Sequence, residues 1–238
     1  MTLLPQDLTR RSFLYRELES AGAAFEEING AAMAMRYGDD AVAEAAQARS
    51  LGLCDLSALP RTGFKGWNMP AWLKGQGAEM AEESNLVTPQ SDGTRIARLA
   101  PSEALLLGDD QGGGDQGGGA LIENTDAAWS MESADGCFQV PRAETNFWLA
   151  LSGEHTPALF AKICAVDLRP EAAPIHRVVQ TNVARLNAII IRRDIAEVPV
   201  FDLLSDIASA VYLWHALLDA MDEFGGKPIG LTALRTLK

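Results

Sequence analysis

The chain has few cysteines, and none of them is arranged to hold a metal. Only Cys54, Cys137 and Cys164 occur in 238 residues, widely spaced and without a CxxC pair. A disulfide framework and a zinc site both need closely patterned cysteines, so we expect neither. Each cysteine lies among apolar neighbours, which predicts buried thiols. This usage suits a reducing cytoplasm, where we expect the protein to reside.

Long apolar runs and an excess of basic residues are also missing. No stretch of about 18 apolar residues occurs, so we expect no membrane-spanning segment. Asp and Glu number 32 against 20 Lys and Arg, which gives a formal net charge of −12. An acidic surface repels DNA, RNA and anionic membranes. We therefore expect partners that are neither nucleic acids nor membranes.

Signatures of catalysis are missing as well. The sequence has no GxSxG, P-loop or HExxH motif, and no GxGxxG follows a predicted strand. None of the histidines, His155, His176 and His215, lies at ligand spacing from another His or from a Cys. From the residues alone we predict no catalytic, cofactor-binding or metal-binding residue in this chain.

Short strands and helices alternate along the chain, which predicts an α+β fold with mixed or antiparallel sheets. We expect an N-terminal arm and hairpin over residues 1–44, with the turn at Asn29-Gly30. A first lobe would span 45–130 and a second lobe 131–238, packed together as one unit. In the second lobe the order strand, helix, strand, strand, helix, strand predicts a ferredoxin-like split βαβ unit.

A glycine-rich loop is predicted at 111–120, inside the first lobe. Six of the eight residues from Gly112 to Gly119 are glycine, which disfavours regular structure. A phosphate cradle would need a nearby Lys, Ser or Thr, and Asp115 would repel the phosphate. We therefore interpret the tract as a flexible loop that connects two strands.

Two groups of residues are candidates for an interface. Trp67, Met69 and Trp72 lie in a segment rich in Gly and Pro, where such side chains either fill a core or dock a partner. Arg192 and Arg193 end a stretch that also holds the arginines at 169, 177 and 185. The arginines could belong to a solvated sheet edge or to a basic face that meets an acidic partner. Both alternatives stay open.

Two segments resemble the folate-dependent aminomethyltransferases, the glycine-cleavage T-protein family. Gly52–Ser57 is similar to a Gly-Leu-x-Asp-x-Ser strand that follows a small-residue helix in that family. Gly226–Leu237 resembles the segment after a long helix in the same family, and the helix with Tyr212-Leu213-Trp214 is also similar. The resemblance implies a T-protein-like fold.

A closer resemblance is to the gamma subunits of heterotetrameric sarcosine oxidases and related N-methyl amine oxidases and dehydrogenases. The stretches that carry it span nearly the whole chain: Arg11–Phe13, Gly52–Leu59, Gly63–Gly66, Ala165–Pro170, Gln180–Leu186 and Phe224–Gly226. It implies a non-catalytic subunit of a complex that demethylates a secondary or tertiary N-methyl amine such as sarcosine. It also implies larger alpha and beta subunits and a small delta subunit, which would hold FAD or FMN, NAD and tetrahydrofolate.

The chain departs from the catalytic aminomethyltransferases at two places. Those enzymes are longer, and this chain ends where the structure that completes their folate pocket would begin. Their catalytic aspartate follows a glycine-rich strand start, where this chain has Ile96, Ala97 and Arg98. Asp92 precedes the glycine, so we expect it to point elsewhere. The alternative is a stand-alone folate-binding aminomethyltransferase-like protein.

Overall fold

The predicted alternation of short strands and helices is found in the structure. This computed structural model describes residues 3–112 and 119–238, so most of the predicted loop 111–120 lies outside the described residues. In chain order the strands are β1 Arg10–Arg11, β2 Ala23–Ile28, β3 Ala31–Tyr37, β4 Gly52–Asp55, β5 Arg61–Lys65, β6 Leu86–Pro89, β7 Arg95–Ala100, β8 Glu103–Leu107, β9 Phe138–Val140, β10 Asn146–Ser152, β11 Val178–Val183, β12 Leu186–Ile195, β13 Val198–Asp206 and β14 Lys227–Pro228. The helices are α1 Tyr15–Ser20, α2 Ala41–Ser50, α3 Met69–Gly75, α4 Ala120–Ala128, α5 Arg142–Thr145, α6 Thr156–Ile163, α7 Ala210–Asp222 and α8 Leu231–Arg235, with 3₁₀ turns at Pro5–Asp7 and Ile207–Ser209.

Two compact units divide the chain. The first unit contains Met1–Ala58, Asn146–Ile175 and Val179–Lys238, and the second contains Leu59–Thr145 with His176–Val178. The segments 1–44, 45–130 and 131–238 that the sequence suggests as domains stay a prediction.

The main sheet of the first unit has the strand order β11-β12-β13-β10-β4-β14. Strand β10 pairs antiparallel with β13 on one side and with β4 on the other, and β14 pairs parallel with β4. In the predicted split βαβ unit, the strand after the second helix would lie next to the first strand. Here β4 takes that place, and β14 pairs on the outer side of β4, where the N–H groups of Lys227 and Ile229 donate to the Leu51 and Leu53 carbonyls.

A small sheet in the order β1-β3-β2 carries the predicted hairpin. Asn29 and Gly30 have φ of 52° and 71°, the left-handed conformations that a type I′ turn between β2 and β3 requires. Helix α2 follows, and the Asp40 side chain accepts hydrogen bonds from the backbone N–H of Val42 (3.1 Å) and Ala43 (2.9 Å). This N-cap fixes the start of the helix.

Helix α7 packs with α6 in the core of the first unit. Its buried side chains recur every three or four residues, and they are Ala210, Leu213, Trp214, Leu217, Ala220 and Met221. They belong to one cluster with Phe147 and Leu149 of β10 and Phe160 of α6. The helix ends where the Gly226 N–H donates to the Met221 carbonyl (3.0 Å), with Gly225 at φ 63°.

The second unit is built on an antiparallel sheet in the order β6-β7-β8-β5-β9. Its core combines strand side chains with residues of α3 and α4, and includes Phe64, Met69, Trp72, Leu73, Ile96, Leu106 and Ile122. Among the residues that the structure describes, no helix has both the length and the apolar character needed to cross a bilayer.

Candidate functional site

Strand β7 carries Ile96, Ala97 and Arg98, the positions where the sequence resemblance led us to look for a carboxylate. Ile96 and Ala97 on this strand are fully buried, Ile96 within the core of the second unit. Arg98 donates from Nη1 to the Ala81 carbonyl (2.8 Å) and from Nη2 to the Pro101 carbonyl (3.1 Å). Positions 96–98 therefore supply alkyl groups and a guanidinium bound to carbonyl oxygens, and no carboxylate.

Asp92 has a structural role at the start of α4. Its carboxylate accepts hydrogen bonds from the Thr94 N–H (2.9 Å), the Thr94 hydroxyl (2.9 Å) and the N–H of Leu121 in the first turn of α4 (2.8 Å). Burial raises the pKa of Asp92, but the hydrogen bonds from Leu121 and Thr94 outweigh burial and lower this pKa below its ordinary value of 3.8. The charged form is thus the one that caps the helix.

We expect Asp92→Ala to lower the free energy of unfolding by about 0.5–2 kcal/mol at pH 7, as the loss of a helix cap does. The pKa of Asp92 is depressed in the folded state, so its charge stabilises the fold above the unfolded-state pKa. That contribution is lost as the pH falls through the folded-state pKa. Urea unfolding should therefore show a difference between the native chain and the variant at pH 7 that shrinks below about pH 4. An equal difference at both pH values would contradict this role, and Asp39→Ala, at an exposed position, serves as control.

Residues Trp67, Met69 and Trp72 have different environments. Met69 is fully buried and Trp72 almost so, and the Trp72 ring packs on Phe64 with ring centroids 4.9 Å apart. Trp67 has 74% of its surface exposed. The structure thus gives Met69 and Trp72 a place in the core and leaves Trp67 on the surface. The interface role of all three stays a prediction.

Two glycines hold Trp67 in place. A Cβ atom on Gly66, whose φ is 137°, would lie 2.1 Å from the Gly136 carbonyl oxygen. A Cβ atom on Gly136 would lie 2.3 Å from Cε2 and Nε1 of the Trp67 indole. Asn68 donates from its backbone N–H to the Gly136 carbonyl (3.1 Å) and from Nδ2 to the Asp135 carbonyl (2.8 Å). The indole therefore lies directly on the backbone of Gly136.

Arg192 and Arg193 lie inside the first unit, and this corrects the expectation of an exposed basic face at these two positions. Both arginines are less than a tenth exposed. Arg193 donates from Nε to Oδ2 of Asp202 (2.9 Å), and Asp202 also accepts from Trp148 Nε1 (3.0 Å). Arg192 donates from Nη1 to the Pro170 carbonyl (3.1 Å). The two side chains are adjacent on β12 and therefore point to opposite faces of the sheet, and both faces are buried at this point. Their role at an interface stays a prediction.

Two grooves lie on the first unit. An apolar groove of about 740 Å³ runs between α6 and the loop that follows it, and its lining includes Pro157, Ala158, Ala161, Cys164, Val166 and Pro199. A polar groove of about 550 Å³ crosses β10, β11, β12 and β13, and its lining includes Asn146, Gln180, Asn182, Asn187 and Asp206. The three cysteines are free and buried, as their neighbours predict. Among residues 3–112 and 119–238, no three His, Cys, Asp or Glu side chains cluster as metal ligands would.

Comparison with known proteins gives matches in structure. No family model matches the chain, and no curated protein does. The glycine cleavage system aminomethyltransferase T from Bartonella henselae superposes with a TM-score of 0.70 at 18% identity over 96% of this chain. The chain has an aminomethyltransferase-like fold. It spans 61% of the length of that aminomethyltransferase.

A second solved structure with the aminomethyltransferase-like fold is a chain of a heterotetrameric sarcosine oxidase from Corynebacterium sp. U-96, in complex with pyrrole 2-carboxylate. The TM-score is 0.61 at 20% identity, and the match covers 80% of this chain and 95% of that chain. These two similarities confirm the predicted α+β, T-protein-like fold.

Two exposed apolar residues of the second unit, Met131 and Phe138, are not among the residues predicted from the sequence. Phe138 begins β9, and Met131 lies in the turn before it, with 55% and 75% of their surfaces exposed. One signal was available in the sequence. No Lys, Arg or His occurs between Arg98 and Arg142, so this stretch carries acidic charge alone. Apolar residues in such a segment are candidates for an exposed, acidic-rimmed surface.

Proposed function

We propose that this chain is a non-catalytic, gamma-like assembly subunit of a flavin- and folate-dependent complex. The complex would oxidatively demethylate a secondary or tertiary N-methyl amine such as sarcosine. The match to the heterotetrameric sarcosine oxidase carries this proposal, because it covers 95% of the matched chain and 80% of this one. The matched chain is therefore shorter than this chain, and the similarity extends over nearly all of a small chain from a four-chain enzyme.

The residues of β7 support a role without catalysis. A folate-dependent methyl transfer needs an acid close to the folate, and the corresponding positions hold the buried Ile96 and Ala97. Asp92, the acid that precedes them, is engaged in capping α4. These residues do not fit a catalytic folate site, so we assign no chemical step to this chain.

The cofactors would then lie in the partner subunits. We assign tetrahydrofolate and NAD to a large alpha subunit, and the amine-oxidising FAD or FMN to a beta subunit, with a small delta subunit completing the complex. The three free, buried cysteines support a cytoplasmic location, where thiols stay reduced.

Affinity purification of the tagged chain from its native host tests the proposal. We expect larger chains with a flavin absorbance spectrum to co-elute, and the eluate to produce formaldehyde when an N-methyl amine is added. The purified chain alone should give no formaldehyde and no methylene-folate. The control is the double variant Asp55→Asn with Asp92→Asn. Turnover by the isolated native chain above the level of this variant would reject the proposal.

A stand-alone folate-binding protein is the second candidate, and one observation favours it. The superposition on the aminomethyltransferase covers more of this chain than the superposition on the oxidase does, 96% against 80%. Calorimetric titration of the isolated chain with tetrahydrofolate separates the two candidates. Saturable binding by a stable monomer that ignores the oxidase subunits would favour this second function.

A further inference from the structure

Trp67 is exposed, yet its position is sterically defined. The side chain lies in the loop between β5 and α3. A Cβ on Gly66 would meet the Gly136 carbonyl, and a Cβ on Gly136 would meet the Trp67 indole, so neither glycine has room for a side chain. Both glycines have positive φ, 137° and 66°, which other residues rarely adopt. A surface loop that requires two such glycines holds the indole in one place, so the side chain loses little conformational freedom when it is bound.

Phe138 is a second exposed aromatic residue, and its strand pairs with the segment that leads to Trp67. It pairs in register with Lys65, two residues before Trp67, on the edge strand β9 of the second unit. It also lies two residues after Gly136, on which the indole rests. Trp67 and Phe138 therefore belong to two chain segments that pair side by side. We call these two residues, with the exposed Met131 of the turn before β9, the Trp67 patch.

Three acidic side chains lie in or against the segment that carries Met131 and Phe138. Glu132 and Asp135 are exposed in the turn between Met131 and Gly136. Asp126 accepts a hydrogen bond from Gln139 of β9 (2.7 Å), next to Phe138. Lys65 lies opposite Phe138 in the strand pair, and its Nζ forms an ion pair with Oε2 of Glu103 at 3.5 Å. An acidic rim around an apolar centre favours a partner with the opposite charge and disfavours a second copy of this chain.

We infer that the Trp67 patch is the anchor by which this chain docks on a larger subunit of its complex. The partner would offer an apolar pocket with a rim of Lys or Arg side chains. The inference rests on the proposed function, and it names the surface and the chemistry of the partner. A single aromatic residue seated in a dehydrated pocket commonly dominates the affinity of an interface, whereas the charged rim controls the association rate and the salt dependence.

Trp67→Ala in the co-expressed complex tests the anchor. We expect the dissociation constant to rise about 30-fold or more, the change that the loss of a central interface residue produces. The melting temperature of the isolated chain should stay unchanged, because Trp67 is mostly exposed. Tyr212→Ala is the matched control, since Tyr212 is a half-exposed aromatic residue on α7 of the first unit. It should leave the affinity unchanged.

Charge reversal tests the rim without altering the indole. Glu132→Lys combined with Asp135→Lys should slow association more than tenfold at low salt and flatten the dependence on ionic strength. If the native chain assembles with flavin-containing subunits and Trp67→Ala binds as tightly as Tyr212→Ala, the anchor is wrong while the proposed function stands. If the native chain assembles with nothing, both are overturned. Self-association that Trp67→Ala abolishes would make a second copy the partner and overturn the inference.

Discussion

Replacing Arg193 with methionine should lower the free energy of unfolding by about 3–5 kcal/mol, the cost of leaving a buried charge without its partner. Asp202 is fully buried, and its carboxylate accepts hydrogen bonds from Arg193 Nε (2.9 Å) and Nη2 (3.3 Å). Without the guanidinium, the indole N–H of Trp148 would remain as a donor to a buried anion. Urea unfolding followed by circular dichroism measures the loss.

A second ion pair of the first unit provides the control. Arg169 approaches Asp167 more closely, at 2.6 Å between Nη2 and Oδ2, and its hydrogen bonds lower the pKa of Asp167 to about 2. However, 72% of the Arg169 side chain is exposed, so water screens the pair. We expect Arg169→Met to change the stability far less than Arg193→Met. Equal losses would show that burial does not determine the strength of these pairs.

The double variant Arg193→Met with Asp202→Asn identifies the cause. The amide of Asn carries no charge, and its oxygen can still accept the Trp148 N–H. We expect the double variant to recover a large part of the stability that Arg193→Met loses. Failure to recover would mean that Arg193 stabilises the sheet through its packing and not through the charge of Asp202.

Local features of the fold could be predicted from the sequence because their signals are local. Asn29-Gly30 specifies the turn between β2 and β3, and Gly225-Gly226 ends α7. Helix α2 spans Ala41–Ser50, and Asp40, a residue type that favours the N-cap, caps its first turn. The position of β4 between β10 and β14 could not be predicted in this way, because it depends on pairing between segments far apart in the chain.

The difference between local signals and long-range pairing also explains which features of the candidate site could be predicted. The sequence favoured an exposed position for Arg192 and Arg193, because a run of arginines does not reveal which of them the fold buries. Adjacent residues of a strand point to opposite faces of the sheet, and both faces of β12 are covered here, since Arg192 binds the Pro170 carbonyl and Arg193 binds Asp202. The missing carboxylate at 96–98 was visible from the sequence, since it needed only the order of residues along one strand.

The exposure of Trp67 could not be predicted from the local sequence. Trp67, Met69 and Trp72 lie in one short segment of similar composition, and no local pattern separates them. Trp67 is held outside the core by contact with Gly136, which lies far along the chain. Met69 and Trp72 belong to α3 and face the sheet of the second unit. A prediction that treated the three as one group could not assign their separate roles.

Replacing Gly230 with alanine should lower the free energy of unfolding by about 3 kcal/mol, at the upper end of the usual cost of overpacking. Gly230 has φ of −85°, so alanine fits its backbone conformation. Its Cβ, however, would lie 2.1 Å from the carbonyl carbon and oxygen of Met35 and 2.2 Å from the Arg36 nitrogen. These atoms belong to β3, which cannot easily move because β1 and β2 pair on its two sides.

The Glu44 side chain links Gly230 to strand β3. Its Oε1 accepts hydrogen bonds from the N–H of Gly230 (2.7 Å) and from the N–H of Tyr37 (3.0 Å), so displacement of residue 230 would disturb α2, β3 and the segment before α8 together. We expect the melting temperature to fall by about 6–12 °C, the shift that this loss produces in a chain of this size. Gly75→Ala is the matched control, because no atom lies within 4 Å of its Cβ position at the end of α3. Equal melting temperatures for the two variants would show that β3 yields to the added methyl group.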